Sequence, residues 1–230
     1  MRSDRAESAL DVSRMRRAAA VTDGVFDAFL RALRPGVTEL ELAELVRSEI
    51  LSLGGEGEAF DTIVAFGASG AEPHHVPADV PLERGMLVTV DMGAKFEGMC
   101  SDFTRTVAFG EPSPEAREIY DIVLEASRRA LAAVRVGAAC RDVDAAARSY
   151  IAERGYGERY IHGTGHGVGA LIHQAPTLNA KSEEILAEGE VVTVEPGIYI
   201  PGVLGVRIED MVEVGDGRPW SRHTTELIVL

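Results

Sequence analysis

An internal repeat constrains the fold of this chain more than any other feature of its sequence. The turn Arg34-Pro35-Gly36 precedes a helical pattern of apolar residues, and the turn Arg135-Val136-Gly137 precedes a similar pattern 101 residues later. Each half therefore predicts the order helix, short turn, helix, strands. We predict one domain, residues 1–230, built of two repeated halves at about 10–110 and 111–230. Such a chain would form a pseudo-twofold α+β sandwich, with helices covering one face of a curved, mainly antiparallel sheet.

The predicted helices and strands follow this repeat. The first helix covers residues 12–33, and its counterpart covers residues 114–134, where Ser113 and Pro114 supply an N-cap and a first-turn proline. Apolar and β-branched runs predict strands at residues 60–65, 87–91, 100–109, 190–195, 206–214 and 226–230.

Two of these strands end in the same pattern, an apolar run followed by an acid. Asp91 follows one run and Glu195 follows the other. An isolated carboxylate in the core of a sheet is costly unless it is paired or bound to a cation. Asp102 lies eleven residues after Asp91, and Glu209 lies fourteen residues after Glu195. This hairpin-like spacing predicts that the four acids converge.

Four carboxylates in one cavity would repel each other, whereas two divalent cations would neutralise them. His166 adds an imidazole from the tract HGTGHGVG, residues 162–169, whose glycines favour a loop or irregular strand over a helix. This oxygen-rich set suits Mn²⁺, Co²⁺, Fe²⁺ or Zn²⁺ better than Ca²⁺. The alternative, for any one acid, is a surface or capping role.

Charge and cysteine content exclude several classes of protein. Against 23 basic residues stand 37 acidic ones, a net charge of −14, which argues against nucleic acid or an anionic membrane as a partner. The two cysteines, Cys100 and Cys140, are too few for a disulfide framework, and no segment resembles a signal peptide or a membrane span. We therefore expect a cytoplasmic protein. Cys100 is interpreted as a packed small residue rather than a nucleophile.

The segments that carry these acids resemble those of the pita-bread metallopeptidases, which include methionine aminopeptidases, Xaa-Pro aminopeptidases and prolidases. The segments are VTVDMGAKFEGMCSDFTRT, HGTGHGVG, TVEPGIYIPG and GVRIED. Within the family, DFTRT, EPGIY and Arg207 are similar to the proline-handling branch. The resemblance implies the pita-bread fold and a peptide substrate with a free N-terminus.

The resemblance also implies how a metal centre would be assembled. Asp91 would bind one ion, while His166 and Glu195 would bind the other. Asp102 and Glu209 would bridge the two. The expected cofactor is a pair of divalent ions, with Mn²⁺ or Co²⁺ favoured and Fe²⁺ or Zn²⁺ as alternatives.

By the same resemblance, Glu195 would serve as general base toward a metal-bridging water or hydroxide. His74 and His173 would stabilise the oxyanion, although each could instead be a solvated loop histidine. Three further residues are expected to support the site: Arg207, Tyr199 and His162. For Arg207, a salt bridge at the sheet edge is the alternative.

Three departures from the family bear on substrate choice. The additional N-terminal domain of most Xaa-Pro peptidases is expected to be absent, which leaves the control of substrate length open. Gln174 stands where relatives usually carry an acid, which changes the surroundings of His173. Thr177 follows Pro176 where many prolidases place an arginine for the carboxylate of a dipeptide. This last difference favours an aminopeptidase.

We therefore predict a metallo-aminopeptidase that hydrolyses the bond after an N-terminal residue, preferentially before proline. The alternatives are a methionine aminopeptidase, a prolidase-type dipeptidase, a non-catalytic peptide-binding module and a creatinase-like hydrolase. The complete ligand set argues against the last two. A homodimer stays open.

Overall fold

The computed structural model describes the backbone of residues 2–230 and the side chains of residues 11–230. The first half begins with two helices, α1 (Arg2–Ala32) and α2 (Glu39–Ser52). A capping box starts α2, because the Thr38 hydroxyl accepts from the Glu41 N–H while the Glu41 carboxylate accepts from the Thr38 N–H. The helix predicted at residues 12–33 corresponds to α1, which begins earlier, at Arg2, and ends at Ala32.

The second half repeats this pair of helices as α3 (Pro114–Ala133) and α4 (Cys140–Glu153). The Ser113 hydroxyl accepts from the Ala116 N–H, and Pro114 occupies the first turn, so the predicted cap is confirmed. Two short 3₁₀ helices, Gly67–Ala71 and Gly157–Arg159, connect the helices and strands. Within residues 2–230, no helix combines the length and apolar character needed to cross a membrane.

The part of the chain that the structure describes contains twelve strands, six in each half. In the first half they are β1 (Gly57–Glu58), β2 (Ile63–Phe66), β3 (Met86–Met92), β4 (Ala94–Phe96), β5 (Met99–Cys100) and β6 (Phe103–Phe109). In the second half they are β7 (Gly165–Gly167), β8 (Gln174–Leu178), β9 (Val191–Val194), β10 (Gly197–Ile200), β11 (Leu204–Arg207) and β12 (Asp210–Glu213). The glycine-rich tract is thus irregular except for β7, as predicted.

Antiparallel pairing joins these strands into four sheets. Two of them, with the strand orders β2-β3-β6 and β12-β9-β7-β8, are named the floor sheets. The other two have the orders β1-β4-β5 and β10-β11. The two floor sheets meet where Thr104 of β6 forms a bridge with Glu209, whose N–H donates to the Thr104 carbonyl at 3.0 Å. This bridge places the acid-bearing strand ends of both halves side by side.

Two large hydrophobic cores lie between the helices and the sheets, and each takes most of its residues from one half. In the first half Phe26 and Phe29 of α1 pack with Val90 of β3. In the second half Val123 of α3 and Ile151 of α4 join the core beneath the other floor sheet. Burial of each such side chain contributes about 1.5–3 kcal/mol relative to exposure. The polar ends of the strands are left to face the junction.

Three of the predicted strands differ from the structure. Residues 226–230 form no strand, and Val229 makes only an isolated bridge with Ala108 at the edge of β6. The prediction at 100–109 is interrupted because Ser101 pairs back to Ala94 before β6 begins. The prediction at 206–214 is interrupted because Glu209 leaves its neighbours to pair with β6. These interruptions follow from pairing between distant segments.

Candidate metal centre

Three of the candidate ligands are brought together by the pairing of β6 with its two neighbours. Asp91 on β3 lies directly opposite Thr104 on β6. Asp102 precedes Thr104 by two residues, which places it on the same side of the extended chain. Glu209 pairs with Thr104 from the other floor sheet. Cross-strand neighbours share a face of the sheet, so the three carboxylates converge above Thr104.

The other two candidate ligands come from β7 and β9. Glu195 directly follows β9, and its N–H donates to the Thr164 carbonyl at 2.8 Å. His166 lies in the middle of β7, and its N–H donates to the Thr193 hydroxyl at 3.1 Å. That hydroxyl also contacts Glu195 Oε1 at 3.4 Å. Thr193 therefore connects the imidazole and the carboxylate.

All five side chains line one cavity of about 1000 Å³. His166 Nε2 lies 3.5 Å from Asp102 Oδ2 and 3.5 Å from Glu195 Oε1. One ligand atom each from Asp102, His166 and Glu209 lie within 4.8 Å of one another. Asp91 belongs to the same cavity. The structure therefore brings together the five residues that the sequence predicted as ligands.

The electrostatics of this group favour a bound cation. Burial, and then repulsion by Glu209 and Asp91, raise the pKa of Asp102 well above its ordinary range. Burial followed by repulsion from Glu195 does the same for Glu209. Burial also raises the pKa of Glu195 to about 7, and it lowers the pKa of His166 to about 4. A neutral imidazole and crowded carboxylates are a donor set that a divalent cation stabilises.

Two unpaired atoms support the fit of a metal ion. Asp91 Oδ1 is buried and has no hydrogen-bond partner among the described residues. His166 Nδ1 contacts the Gly167 carbonyl at 3.0 Å, which assigns the ring proton to Nδ1 and leaves Nε2 free toward the acids. Metal-binding histidines usually donate their other ring N–H to such a carbonyl. The donor set, oxygen-rich with one imidazole, matches first-row divalent ions.

A buried arginine completes the wall of the centre. Arg207 donates to Asp91 Oδ2 at 2.7 Å, to the Tyr199 hydroxyl at 2.9 Å and to the Thr104 hydroxyl at 3.2 Å. The Tyr199 hydroxyl lies 2.7 Å from His162 Nε2. Burial raises the pKa of Tyr199 to about 12 and lowers the pKa of His162 to about 4, so tyrosine donates and neutral histidine accepts. Arg207 is only 4% exposed, and its contact with Asp91 is a salt bridge, so the alternative of a salt bridge and the expected support of the site describe the same contact.

The two histidines predicted to assist catalysis lie exposed in the wall of the same cavity. His74 belongs to the loop that follows Gly67–Ala71 in the first half. His173 directly precedes β8 in the second half, and its ring centroid lies 4.4 Å from that of His166. Neither ring has a hydrogen-bond partner among the described side chains that would keep it from a ligand in the cavity.

The remaining histidines have structural contacts. His75 Nε2 lies 2.7 Å from a carboxylate oxygen of Glu39, a residue with no solvent exposure. His223 contacts the Asp23 carbonyl at 2.9 Å and packs on the Phe26 ring.

Cys100 is buried in a small core cluster outside the cavity lining. Burial raises the pKa of its thiol, which agrees with the interpretation of Cys100 as a packed residue.

Several residues that shape the centre were not predicted from the sequence. The Thr104 hydroxyl donates to Glu209 Oε2 at 2.7 Å, and the alternation of β6 after Asp102 was the signal that could have indicated it. Buried Glu39 and Asp144 were also missed. Acidic residues of helices are usually exposed, so the sequence carried no signal for their burial.

Comparisons with known proteins agree with this geometry. Residues 13–216 match the model of metallopeptidase family M24. The chain is 41% identical over 226 residues to the uncharacterized peptidase YqhT of Bacillus subtilis, covering 97% of this chain and 64% of that protein. An uncharacterized peptidase of Staphylococcus aureus is 43% identical over 204 residues, covering 89% of this chain and 58% of that protein. The chain thus spans less than two thirds of these relatives.

Solved structures are equally similar. An Xaa-Pro dipeptidase from Bacillus anthracis superposes with a TM-score of 0.94 at 44% identity, covering 96% of this chain and 62% of that one. An X-Pro aminopeptidase from Thermotoga maritima superposes with a TM-score of 0.93 at 38% sequence identity, covering 96% of this chain and 63% of that one. A prolidase from Pyrococcus furiosus superposes with a TM-score of 0.91 at 41% sequence identity, covering 93% of this chain and 64% of that one. The predicted α+β pita-bread fold is confirmed.

Proposed function

Because this chain belongs to metallopeptidase family M24, we propose that it is a dinuclear-metal aminopeptidase that hydrolyses the bond after an N-terminal residue, preferentially before proline. The observation that carries the proposal is the convergence of four carboxylates and one imidazole from both halves in one cavity. The names of its structural neighbours, which include an X-Pro aminopeptidase and a prolidase, support the preference for proline. We further propose that residues 1–230 act as a single catalytic domain of two repeated halves.

The proposed cofactor is a pair of divalent ions, with Mn²⁺ or Co²⁺ favoured. The proposed ligands are Asp91 for one ion, His166 and Glu195 for the other, and Asp102 and Glu209 shared between them. When bound, the pair supplies Lewis acidity at the scissile carbonyl and lowers the pKa of the attacking water. Arg207 provides one buried positive charge against four carboxylates. The remaining negative charge favours the binding of cations.

Glu195 is the carboxylate best placed to move a proton. Its side chain is 20% exposed toward the cavity, compared with 6% for Asp102. A substrate and its attacking water therefore meet Glu195 more readily than they meet the deeper acids. We assign it the transfer of a proton from that water to the leaving nitrogen.

His74 and His173 are the proposed donors to the oxyanion that forms at the substrate carbonyl. They belong to different halves and both line the cavity. Arg207, Tyr199 and His162 are proposed to hold Asp91 and the cavity wall in place, since their hydrogen bonds run in sequence from that carboxylate.

Cavity size favours an aminopeptidase over a strict dipeptidase. A volume of about 1000 Å³ lies at the upper end of the range for small-molecule pockets, about 300–1000 Å³, so the cavity has room beyond a dipeptide. Thr177 and Gln174 line it at the position where the sequence lacks an arginine for a terminal carboxylate. A prolidase-type dipeptidase is the second candidate, because one structural neighbour bears the name Xaa-Pro dipeptidase.

Metal analysis combined with peptide hydrolysis tests the proposal. We expect close to two Mn²⁺ per chain after reconstitution, and release of the first residue from Ala-Pro-Ala-Ala at a higher kcat/KM than from Ala-Pro. Faster cleavage of Ala-Pro than of the tetrapeptide would favour the dipeptidase. Cleavage of Met-Ala-Ser with no cleavage of either proline peptide would favour methionine removal. No stoichiometric metal and no hydrolysis would favour the binding module.

A further inference from the structure

An ion pair on α4, between a buried carboxylate and a partly buried guanidinium, contacts the chain that leads into the glycine-rich tract. Asp144 has no solvent exposure, and Arg148 lies one helical turn further along α4. The pair is bidentate, with Arg148 Nε donating to Asp144 Oδ2 at 2.7 Å and Arg148 Nη2 donating to Asp144 Oδ1 at 2.8 Å. Neither residue belongs to the lining of the cavity. A carboxylate buried in this way is costly unless it is paired and fully hydrogen-bonded.

Both partners form further hydrogen bonds to residues 160–164, the segment that leads into the glycine-rich tract. Arg148 donates to the Tyr160 carbonyl at 3.0 Å and to the His162 carbonyl at 2.6 Å, and its guanidinium stacks 4.3 Å from the centre of the Tyr160 ring. Asp144 Oδ1 accepts from the Thr164 hydroxyl at 2.8 Å and from the Thr164 N–H at 3.2 Å. The tyrosine hydroxyl contacts the Thr164 hydroxyl at 2.7 Å. The backbone from Tyr160 to Thr164 is therefore fixed from one side.

The fixed segment contacts the candidate metal centre through two of its ligands. The Thr164 carbonyl accepts from the Glu195 N–H at 2.8 Å. This hydrogen bond fixes the position of the Glu195 backbone, from which the carboxylate extends. Two residues further along the chain, His166 presents its ring to the acids. A shift of Thr164 would move both the imidazole and the carboxylate.

The tract needs an external support of this kind because its own residues give it little stiffness. Gly163, Gly165 and Gly167 have no side chains to pack, and glycine has the largest conformational freedom of any residue. Glycine is required there for close approach, since a Cβ at Gly165 would lie 2.0 Å from the Thr193 carbonyl oxygen and a Cβ at Gly167 would lie 2.2 Å from that of Ala175. Rigidity must therefore come from neighbouring elements.

We propose that Asp144 and Arg148 are positioning residues, which hold the backbone of residues 160–164 and thereby keep His166 and Glu195 in place to bind the same metal ion. This inference rests on the metal centre proposed above. It does not require either residue to touch the metal or the substrate. Its consequence is selective, because the held segment bonds Glu195 directly through the Thr164 carbonyl, whereas it reaches Asp91 only through the longer sequence of His162, Tyr199 and Arg207.

Calorimetric measurement of Mn²⁺ binding to the metal-free protein tests the inference with Asp144→Asn. This nearly isosteric change keeps the size of the side chain but weakens the bidentate pairing with Arg148. We expect two classes of Mn²⁺ site in the unsubstituted protein. In the variant the affinity of one class should fall about 10–100-fold, as for other partners that orient metal ligands, while the second class changes by less than about threefold. The Co²⁺ absorption spectrum should also change, because imidazole coordination is altered.

The chain offers a matched control on α3. Glu125 and Arg129 also form an ion pair four residues apart, through a single contact of 2.8 Å. Their side chains are 38% and 46% exposed, and the contacts of this pair do not include residues 160–164. Glu125→Gln should leave both classes of Mn²⁺ site and the Co²⁺ spectrum unchanged.

A second variant covers the case in which Asp144→Asn does not fold. Arg148→Lys keeps a positive charge beside Asp144, but its three N–H donors on one nitrogen cannot reproduce the four hydrogen bonds of the planar guanidinium. It should weaken the same class of site. A folded variant of either kind with both classes unchanged overturns the inference.

The outcomes also separate this inference from the proposed function. Absence of Mn²⁺ binding in the unsubstituted protein would overturn the metal centre and the inference together. Stoichiometric binding without hydrolysis of any peptide would overturn the proposed function, and the Mn²⁺ affinities of the variants would still decide the inference.

Discussion

The Thr104 hydroxyl donates a 2.7 Å hydrogen bond to the Glu209 carboxylate, while the Glu209 N–H donates to the Thr104 carbonyl at 3.0 Å. The two residues are 105 positions apart and belong to different halves of the chain. Their contact joins the two floor sheets at the point where the candidate ligands converge. The same hydroxyl accepts from Arg207, so it links a carboxylate and a guanidinium.

Thr104→Val should weaken both folding and metal binding. The change keeps the shape of the side chain but leaves a carboxylate oxygen of Glu209 without this donor. Loss of one partner from a buried polar pair costs about 1–3 kcal/mol, and we expect a decrease of this size in the free energy of unfolding, measured by urea denaturation. Mn²⁺ affinity should fall as well.

Thr89→Val is the matched control for that substitution. Thr89 is buried on the neighbouring strand, and its hydroxyl pairs with Thr106 at 3.0 Å rather than with a candidate ligand. It should reduce stability without changing Mn²⁺ affinity. Equal Mn²⁺ affinities for the two variants would contradict the role given to Thr104.

Glu195→Ala should abolish peptide hydrolysis while leaving the fold intact. The reason is the loss of the proposed proton carrier, which for general acid–base catalysis costs about 10²–10⁴-fold, together with loss of a proposed ligand. Rates on Ala-Pro-Ala-Ala and the far-ultraviolet circular dichroism spectrum provide the measurement, with the exposed Glu188→Ala as control. A fast Glu195→Ala enzyme would remove the proton-transfer role.

Removal of the metal should lower the melting temperature. Burial and mutual repulsion raise the pKa of Asp102 and of Glu209, so the carboxylate cluster is destabilising without a cation. Mn²⁺ at a hundredfold excess over its Kd should restore about 2.7 kcal/mol for each site that binds only the folded protein. Differential scanning calorimetry with and without chelator measures this shift. An unchanged melting temperature would contradict the proposed metal centre.

Glu39→Gln should impair catalysis without changing Mn²⁺ binding. Glu39 accepts from the Phe66 N–H at 2.8 Å, from the Ala78 N–H at 3.0 Å and from the His75 ring at 2.7 Å, and so anchors the loop that carries His74. A glutamine keeps only one acceptor oxygen, so its NH₂ group would face the donor or donors of the other oxygen and loosen the loop. We expect a lower kcat on Ala-Pro-Ala-Ala.

Glu41→Gln provides the comparison for Glu39→Gln. Glu41 lies at the same end of α2, but it is exposed and takes part only in the capping box. Its kcat should stay within about twofold of the unsubstituted enzyme, because a glutamine can complete the same capping box. A similar loss of kcat in both variants would mean that α2 itself, and not the loop, is affected.

The sequence determined which residues would end strands and face one side of the sheet. The runs of apolar and β-branched residues before Asp91 and Glu195 encode strands locally, and the alternation of extended chain then decides which side chains share a face. The glycines around His166 likewise exclude a helix by their own conformational freedom. These features depend on neighbours within a few residues, so they were accessible without the fold.

Tertiary structure alone decided which segments pair and which acids are buried. The strand predicted at 206–214 is interrupted at Glu209 because that residue pairs with Thr104 of β6 in the other half, 105 residues away. Glu39 and Asp144 are acids of a type that is usually exposed, yet both are buried, because segments distant in sequence supply hydrogen-bond donors to them. Contacts between residues far apart in sequence carry no local periodicity, so only the folded chain reveals them.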